Sequence, residues 1–292
     1  MKKIREPRII IALILSLTLL SAVVDKNFYP SVESLLKKGK PVNVLLLGID
    51  ARPGENIARS DAIILVSIYP EYRRLVLLSI PRDTRIILRR QARKINMITQ
   101  LYGPETTCRE VSRFLGTDVR YYVLTDFKGF EKVVDSLGGV YVDVDVEICW
   151  YSQNVFIKKG PQRLNGKEAL VYARFRGGPD ADIGRTQRQQ RLLIALARTM
   201  RKKENLLKLP SVIADISQYV RTNLSLSDMI HLADAVRIIK EENIINQTLP
   251  GHHYWCPYSG ASYWIADEEI AKSILYALYK GERFEVFTEI EY

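Results

Sequence analysis

Three short apolar runs lie between residues 43 and 80, and the segments joining them are too short to carry helices. Asn43–Ile49 (NVLLLGI), Ala62–Tyr69 (AIILVSIY) and Leu75–Ile80 (LVLLSI) are rich in branched side chains and bounded by turn residues, which predicts core strands. Pro70, Glu71, Tyr72 and Arg73 join the second to the third, a length that suits an antiparallel hairpin. About a dozen residues join the first to the second, less than a crossover helix needs comfortably. The end of the first strand, the start of the second and the end of the third therefore share one edge of a sheet.

Further strands are predicted at Tyr121–Leu124, Val140–Val146 (VYVDVDV), Ile244–Leu249 and Ser262–Ala266. Helical patterns fall between them at residues 94–102, 105–115, 127–137, 165–174, 185–203, 205–220, 227–239 and 267–280. Interspersed elements of this kind give an α/β fold, here a layered α-β-α domain around a central mixed, largely antiparallel sheet. With no internal repeat or low-complexity tract, residues 41–292 read as one domain.

Ahead of it, Ile9–Val24 is sixteen residues without a charge, preceded by Lys2, Lys3, Arg5 and Arg8. The segment spans about 24 Å as a helix, short of a bilayer core of about 30 Å, so a cleaved signal peptide competes with an anchor. Ser21-Ala22-Val23 makes a poor cleavage site, which favours an uncleaved transmembrane helix at 9–24. The basic tail 1–8 then stays cytoplasmic, 25–40 is a linker, and the domain lies outside, attached to the cell membrane.

Chemistry gathers at the shared edge. Asp50 follows the first strand, Arg59 and Asp61 begin the second, and Arg82 and Asp83 follow the third. Two carboxylates can bind Mg²⁺, which completes its shell with water and substrate phosphate, and arginines grip phosphate in bidentate fashion. Ion pairs capping strand ends are the alternative. A second cluster runs from Tyr172 to Arg201, with seven arginines against two acids. A helix starting near Gly184 would place Arg185, Arg188 and Gln189 on one face of its first turn, where cations oppose the helix dipole unless an anion binds.

At these residues the chain resembles the LytR-CpsA-Psr family of cell-wall glycopolymer transferases. The resemblance runs in order through VNVLLLGIDAR, RSDAIILVSI, LLSIPRDT, KINMI, FKGFEKVVDSLGGVYVDV, GPQRLNGKEALVYARFR and DIGRTQRQQ. It implies phosphoryl transfer of a glycopolymer from a polyprenyl-pyrophosphate carrier to a peptidoglycan hydroxyl, releasing polyprenyl phosphate. It also implies that Asp50 and Asp61 bind Mg²⁺, and that Arg59, Arg82, Arg174, Arg176 and Arg185 contact the pyrophosphate, with Asp182 and Gln189 in support. Lys94, in KINMI, is carried over from a motif whose later residues differ here. Asp50, Asp61, Arg82 and Arg185 are the implied catalytic set, and an apolar channel for the lipid beside the sheet is implied too. Either Asp50 or Asp83 could take the acceptor's proton.

The net charge of +10 favours anionic partners, and nucleic acid is among these. No clear helix-turn-helix appears, and an external domain would not meet DNA, so a DNA-binding regulator is set aside. A catalytically silent binder of lipid pyrophosphates stays as the alternative. Cys108, Cys149 and Cys256 lack C-x-x-C spacing and read as separate thiols. His252 and His253 would point to opposite faces of an extended segment, and with Cys256 they are not expected to bind metal. Tyr254, Trp255, Tyr258, Tyr263 and Trp264 read as core or loop aromatics rather than a sugar platform.

Overall fold

A computed structural model describes residues 30–51, 58–177, 181–200 and 219–287, with the side chains of 181–183 and 200 outside that set. The expected membrane segment at 9–24, and residues 205–218 of the helix expected at 205–220, lie outside the described residues. Among the described residues no helix is long and apolar enough to cross a membrane.

The chain opens with α1 (Val32–Lys37), β1 (Val42–Ile49), β2 (Ser60–Tyr69), β3 (Arg74–Ser79) and a small hairpin of β4 (Arg85–Leu88) and β5 (Gln91–Lys94). Next come α2 (Asn96–Tyr102), α3 (Pro104–Leu115), β6 (Tyr121–Asp126) and α4 (Phe127–Ser136). Four short strands follow, β7 (Val140–Val144), β8 (Ile148–Trp150), β9 (Val155–Ile157) and β10 (Gly160–Leu164), then α5 (Gly166–Arg174) and α6 (Ala181–Met200). The last elements are β11 (Val220–Thr222), α7 (Leu226–Arg237), β12 (Ile244–Thr248), β13 (Gly251–Trp255), β14 (Ser262–Ala266) and α8 (Glu268–Lys280).

The central sheet has the order β11-β6-β1-β2-β3-β12. β1–β2, β2–β3 and β6–β11 are antiparallel, while β1–β6 and β3–β12 are parallel, so the sheet is mixed. β1, β3, β6 and β12 consequently end at the same rim. In open α/β sheets that rim, at the carboxyl ends of the strands, is where ligands bind.

Both faces of the sheet are covered, and the strands show it residue by residue. Leu45, Leu47, Ile49, Ile63 and Leu65 pack with Ile98, Val111, Leu115, Ile274 and Leu278 of α2, α3 and α8. Val42, Val44, Ile64 and Ile68 point the other way, toward Leu232 of α7 and the half-buried Leu193 and Ile194 of α6. Successive side chains on a strand alternate faces, so a sheet buried on both sides reads as a continuous apolar run.

Three departures from the sequence reading have local causes. The strand expected at Val140–Val146 ends at Val144 and pairs with β10 outside the central sheet, because Asp145 turns into a polar network. Residue 220, expected at a helix end, begins β11 instead, where Val220 pairs with Thr125 of β6. α6 starts at Ala181, four residues before Arg185, so the residues expected on its first turn occupy the second. It is also packed on two sides. Leu192 and Ala195 enter the core built by β7, β9, β10 and α5, while Leu193 and Ile194 face the sheet.

Candidate active site

At the rim, the pairing of β1 with β2 slips by one residue. Gly48 lies opposite Ala62 and Ile49 opposite Ser60, so Asp61 is the extra residue of a β-bulge. Bulges bend a strand and re-aim the side chain they carry. Here the Asp61 carboxylate meets Arg82, whose Nη1 donates to Oδ1 at 2.7 Å. Asp50 follows directly after Ile49 and is exposed, which sets it beside the start of β2 on the same rim.

Arg82 sits in a turn closed by Thr84, whose backbone N–H and Oγ1 both donate to the Pro81 carbonyl, at 2.9 and 2.6 Å. The start of β2 is fixed from beneath. Ser60 Oγ donates to Thr99 Oγ1 at 2.7 Å, and Thr99 in turn lies 2.9 Å from Thr107 Oγ1, a buried hydroxyl chain running into α2 and α3.

α6 brings the second group of residues. Gln190 Nε2 donates to Ser79 Oγ at 2.9 Å and to the Gln247 carbonyl at 3.0 Å, anchoring the helix to the ends of β3 and β12. Arg188 is only 3% exposed. Its Nη1 reaches Asp145 Oδ2 at 2.9 Å and its Nη2 donates to the Phe175 carbonyl at 3.0 Å. Arg191 Nη1 meets Asp145 Oδ1 at 2.9 Å, and the Tyr172 hydroxyl donates to the same oxygen at 2.7 Å. Burial alone would raise the Asp145 pKa, but the Tyr172 hydroxyl and the two guanidinium charges outweigh it and hold the carboxyl below its ordinary range. Burial also pushes the Tyr172 phenol up to about 12.

One pocket of about 70 Å³ lies where these parts meet. Asp61, Arg82, Asp83, Arg185 and Gln189 line it, together with Thr186, Thr248, His253 and Trp264. Arg82 and Arg185, expected from separate stretches of sequence, thus face one space, and Arg185 does so while 91% withdrawn from solvent, being 9% exposed. Gln189 also donates to the Ala173 carbonyl at 3.4 Å.

The remaining expected residues stand outside the pocket lining. Lys94 ends β5 and is held by Asp83, Nζ to Oδ1 2.9 Å, with Ser262 Oγ 3.4 Å away. Arg174 ends α5 and stacks on Phe127 at 4.2 Å and Trp150 at 5.9 Å from the ring centres. Arg59 and Arg176 are exposed, and the Asp182 side chain lies outside the described residues. The anion site expected at the first turn of α6 is corrected by the earlier helix start. The Arg185, Arg188 and Gln189 amides lie inside the helix, and Arg188 spends its charge on Asp145.

Sequence reasoning missed Asp145, Gln190, His253 and Trp264. The aromatic and histidine residues of 252–264, read as a feature outside the site, reach it because β14 docks on the Arg82 turn. The Trp264 backbone N–H donates to the Asp83 carbonyl at 3.0 Å, and Thr84 pairs with Trp264 in an isolated bridge. Only the regular register of β13 and β14, with His253 opposite Trp264, could have linked these two in sequence.

Hard oxygen donors suit Mg²⁺, and Asp50 and Asp61 supply them at the rim. Among the described residues no group of three or more His, Cys, Asp or Glu side chains is assembled to hold a metal. A Mg²⁺ ion held by two carboxylates needs the rest of its shell from water and substrate oxygens, so the donor set fits a metal that arrives with phosphate.

The LytR_cpsA_psr family model matches residues 20–280. Polyisoprenyl-teichoic acid–peptidoglycan teichoic acid transferase TagV of Bacillus subtilis is 32% identical over 253 residues, 81% of this chain and 64% of TagV. The crystal structure of B. subtilis TagV superposes with a TM-score of 0.72 at 30% identity, covering 83% of this chain and 97% of that one. Regulatory protein MsrR of Staphylococcus aureus (strain COL) is 34% identical over 220 residues, 74% of this chain and 66% of MsrR. A structure of TagT bound to LI-WTA matches with a TM-score of 0.67 at 30% identity, over 82% of this chain and 90% of that chain. The chain thus spans just under two thirds of the length of the curated relatives TagV and MsrR.

Proposed function

Because this chain belongs to the LytR_cpsA_psr family, we propose that it transfers a glycopolymer from a polyprenyl-pyrophosphate carrier to a peptidoglycan hydroxyl, at the rim pocket and on the outer side of the membrane. The observation that carries this reading is the convergence of Asp61, Arg82, Arg185 and Gln189 on one pocket. The names of the teichoic acid transferase TagV and of the TagT complex support a glycopolymer donor and a peptidoglycan acceptor.

Transfer at a pyrophosphate needs positioning and charge stabilisation more than covalent chemistry. Arg82 and Arg185 offer guanidinium N–H groups to the phosphate oxygens. Neither has to be reorganised at the moment of reaction. Asp61 already orients Arg82, and α6, pinned by Gln190 and Asp145, presents Arg185. Asp50 and Asp61 are the residues that would hold Mg²⁺. When bound, the ion would offset negative charge on the phosphate oxygens. The acceptor oxygen forms a bond to the phosphorus that bears the glycopolymer, the bond from that phosphorus to the bridging oxygen breaks, and polyprenyl phosphate leaves with the electron pair. Half-buried Leu46, Val66, Val123, Leu193, Ile194 and Met229 line the sheet face toward α7 and offer apolar surface for the lipid.

The name of the relative MsrR prompts a second reading, a regulator that binds lipid pyrophosphates without turnover. One assay separates them. Purified chain incubated with a short-chain prenyl pyrophosphate is expected to release prenyl phosphate, and Asp61→Asn and Arg185→Ala each to slow release about 100-fold. Binding without release supports the silent binder, and retained turnover in both variants overturns the site.

A further inference from the structure

Transfer to a hydroxyl requires a group that takes its proton. Both carboxylates lining the pocket hold cations, Asp61 with Arg82 at 2.7 Å and Asp83 with Lys94 at 2.9 Å. His253 lines the same pocket from β13 and is exposed at its mouth. Its ring stands edge-on to Trp264, centroids 5.0 Å apart, and 6.1 Å from Phe287. These ring contacts fix its place without using its nitrogens, which engage no hydrogen bond or ion pair among the described residues.

The register explains why this histidine and not its neighbour reaches the site. β13 alternates, so His252 and His253 face opposite ways, and His253 lies directly across from Trp264 on β14. The charged groups that line the pocket with it are Asp61 from β2, Arg82 and Asp83 from the turn after β3, and Arg185 from α6. β12, β14 and the segment after α8 contribute Thr248, Trp264 and Val286, none of them charged.

We propose that His253 is a catalytic residue that accepts the proton of the acceptor hydroxyl during transfer. The proposal rests on the transferase reading above. As the acceptor O–H bond breaks, its proton passes to a ring nitrogen of His253 and its oxygen bonds to phosphorus. The bond to the bridging oxygen breaks, polyprenyl phosphate departs with the electron pair, and the imidazolium returns the proton to water.

The test measures acceptor-dependent kcat/KM and donor affinity for the full chain in detergent, with a short-chain prenyl-pyrophosphate-linked saccharide as donor and peptidoglycan strands as acceptor. His253→Gln is expected to run about 100-fold slower than the wild type at about pH 7.5, with donor affinity unchanged. Added imidazole is expected to restore part of the rate to His253→Ala, which separates lost chemistry from lost folding. A His253→Gln variant that keeps the wild-type rate, or whose loss follows donor affinity, overturns the role of the histidine and leaves the transferase reading standing. A wild type that binds donor but transfers nothing overturns the transferase reading, and the role of His253 with it.

Discussion

Arg82 donates to Asp61 at 2.7 Å across the bulge that opens β2, on the wall of the pocket that Arg185 also lines. Arg82 keeps 28% and Asp61 35% of its side chain exposed. As an ion pair alone they would contribute at most about 1 kcal/mol. Asp61→Asn is therefore expected to leave unfolding stability within about 1 kcal/mol of wild type. Turnover of a prenyl pyrophosphate is expected to fall about 100-fold, the scale seen when a positioned electrostatic group is removed. Denaturant unfolding and a steady-state assay on the same preparation check the pair of outcomes. Unchanged turnover would reduce the contact to a strand-end salt bridge.

Asp145 is the counterpart in which stability carries the signal. Asp145→Asn leaves the 3% exposed Arg188 without its anionic partner. The cost expected is about 3 kcal/mol, because a buried charge is then uncompensated. Tyr172→Phe, which removes one hydrogen bond, is expected to cost about 1 kcal/mol. The folded Asp145 pKa is depressed, so its contribution is fully present above the ordinary carboxylate range, about pH 4, and is lost as pH falls through the lower folded value. Unfolding free energies measured downward from neutral pH are expected to show an acid loss that Asp145→Asn lacks.

Gly251 begins β13 where the backbone passes close over β14. A Cβ added there would meet the Ile265 carbonyl, Trp264 Nε1 at 2.7 Å and Ala266 Cα at 2.9 Å. Gly251→Ala is expected to destabilise the protein by about 1–3 kcal/mol through overpacking, and to displace Trp264 from the pocket wall. Thermal unfolding and near-ultraviolet circular dichroism measure the two effects. An unaltered aromatic signal would show that β13 and β14 can separate without moving the pocket.

Chelation of divalent cations is expected to abolish turnover, and Mg²⁺ to restore it. Asp50→Asn is expected to raise the Mg²⁺ concentration needed for half-maximal rate by about tenfold, since Mg²⁺ in such sites relies on one or two carboxylates. The measurement is a Mg²⁺ titration of initial rates. Full activity in excess chelator would remove the metal from the account.

The strands that build the rim were legible because each is short, branched and apolar on both faces, and because Pro70–Arg73 leave no room for anything but a hairpin. Their shared edge is enough to bring Asp61 and Arg82 to one rim, where the two side chains meet. Arg185 and Gln189 were legible from the family resemblance, but their partners were not. Asp145 sits at the end of an alternating strand, where an acid reads as solvent-facing, and only the fold reveals the buried guanidinium behind it. His253 and Trp264 are separated from Arg82 by more than a hundred and fifty residues, and a single bridge between Thr84 and Trp264 brings them in. No local periodicity encodes such a contact. The start of α6 was misplaced because Gly184 reads as a helix boundary, while the helix runs through it.

The account is tested most directly by the products formed when purified chain, polyprenyl-pyrophosphate-linked glycopolymer and peptidoglycan are combined and followed by phosphorus resonance and mass. It requires a new phosphodiester joining polymer to peptidoglycan, with one equivalent of polyprenyl monophosphate for each bond made. Recovery of intact donor, or of free polyprenyl diphosphate with unmodified peptidoglycan, would contradict it.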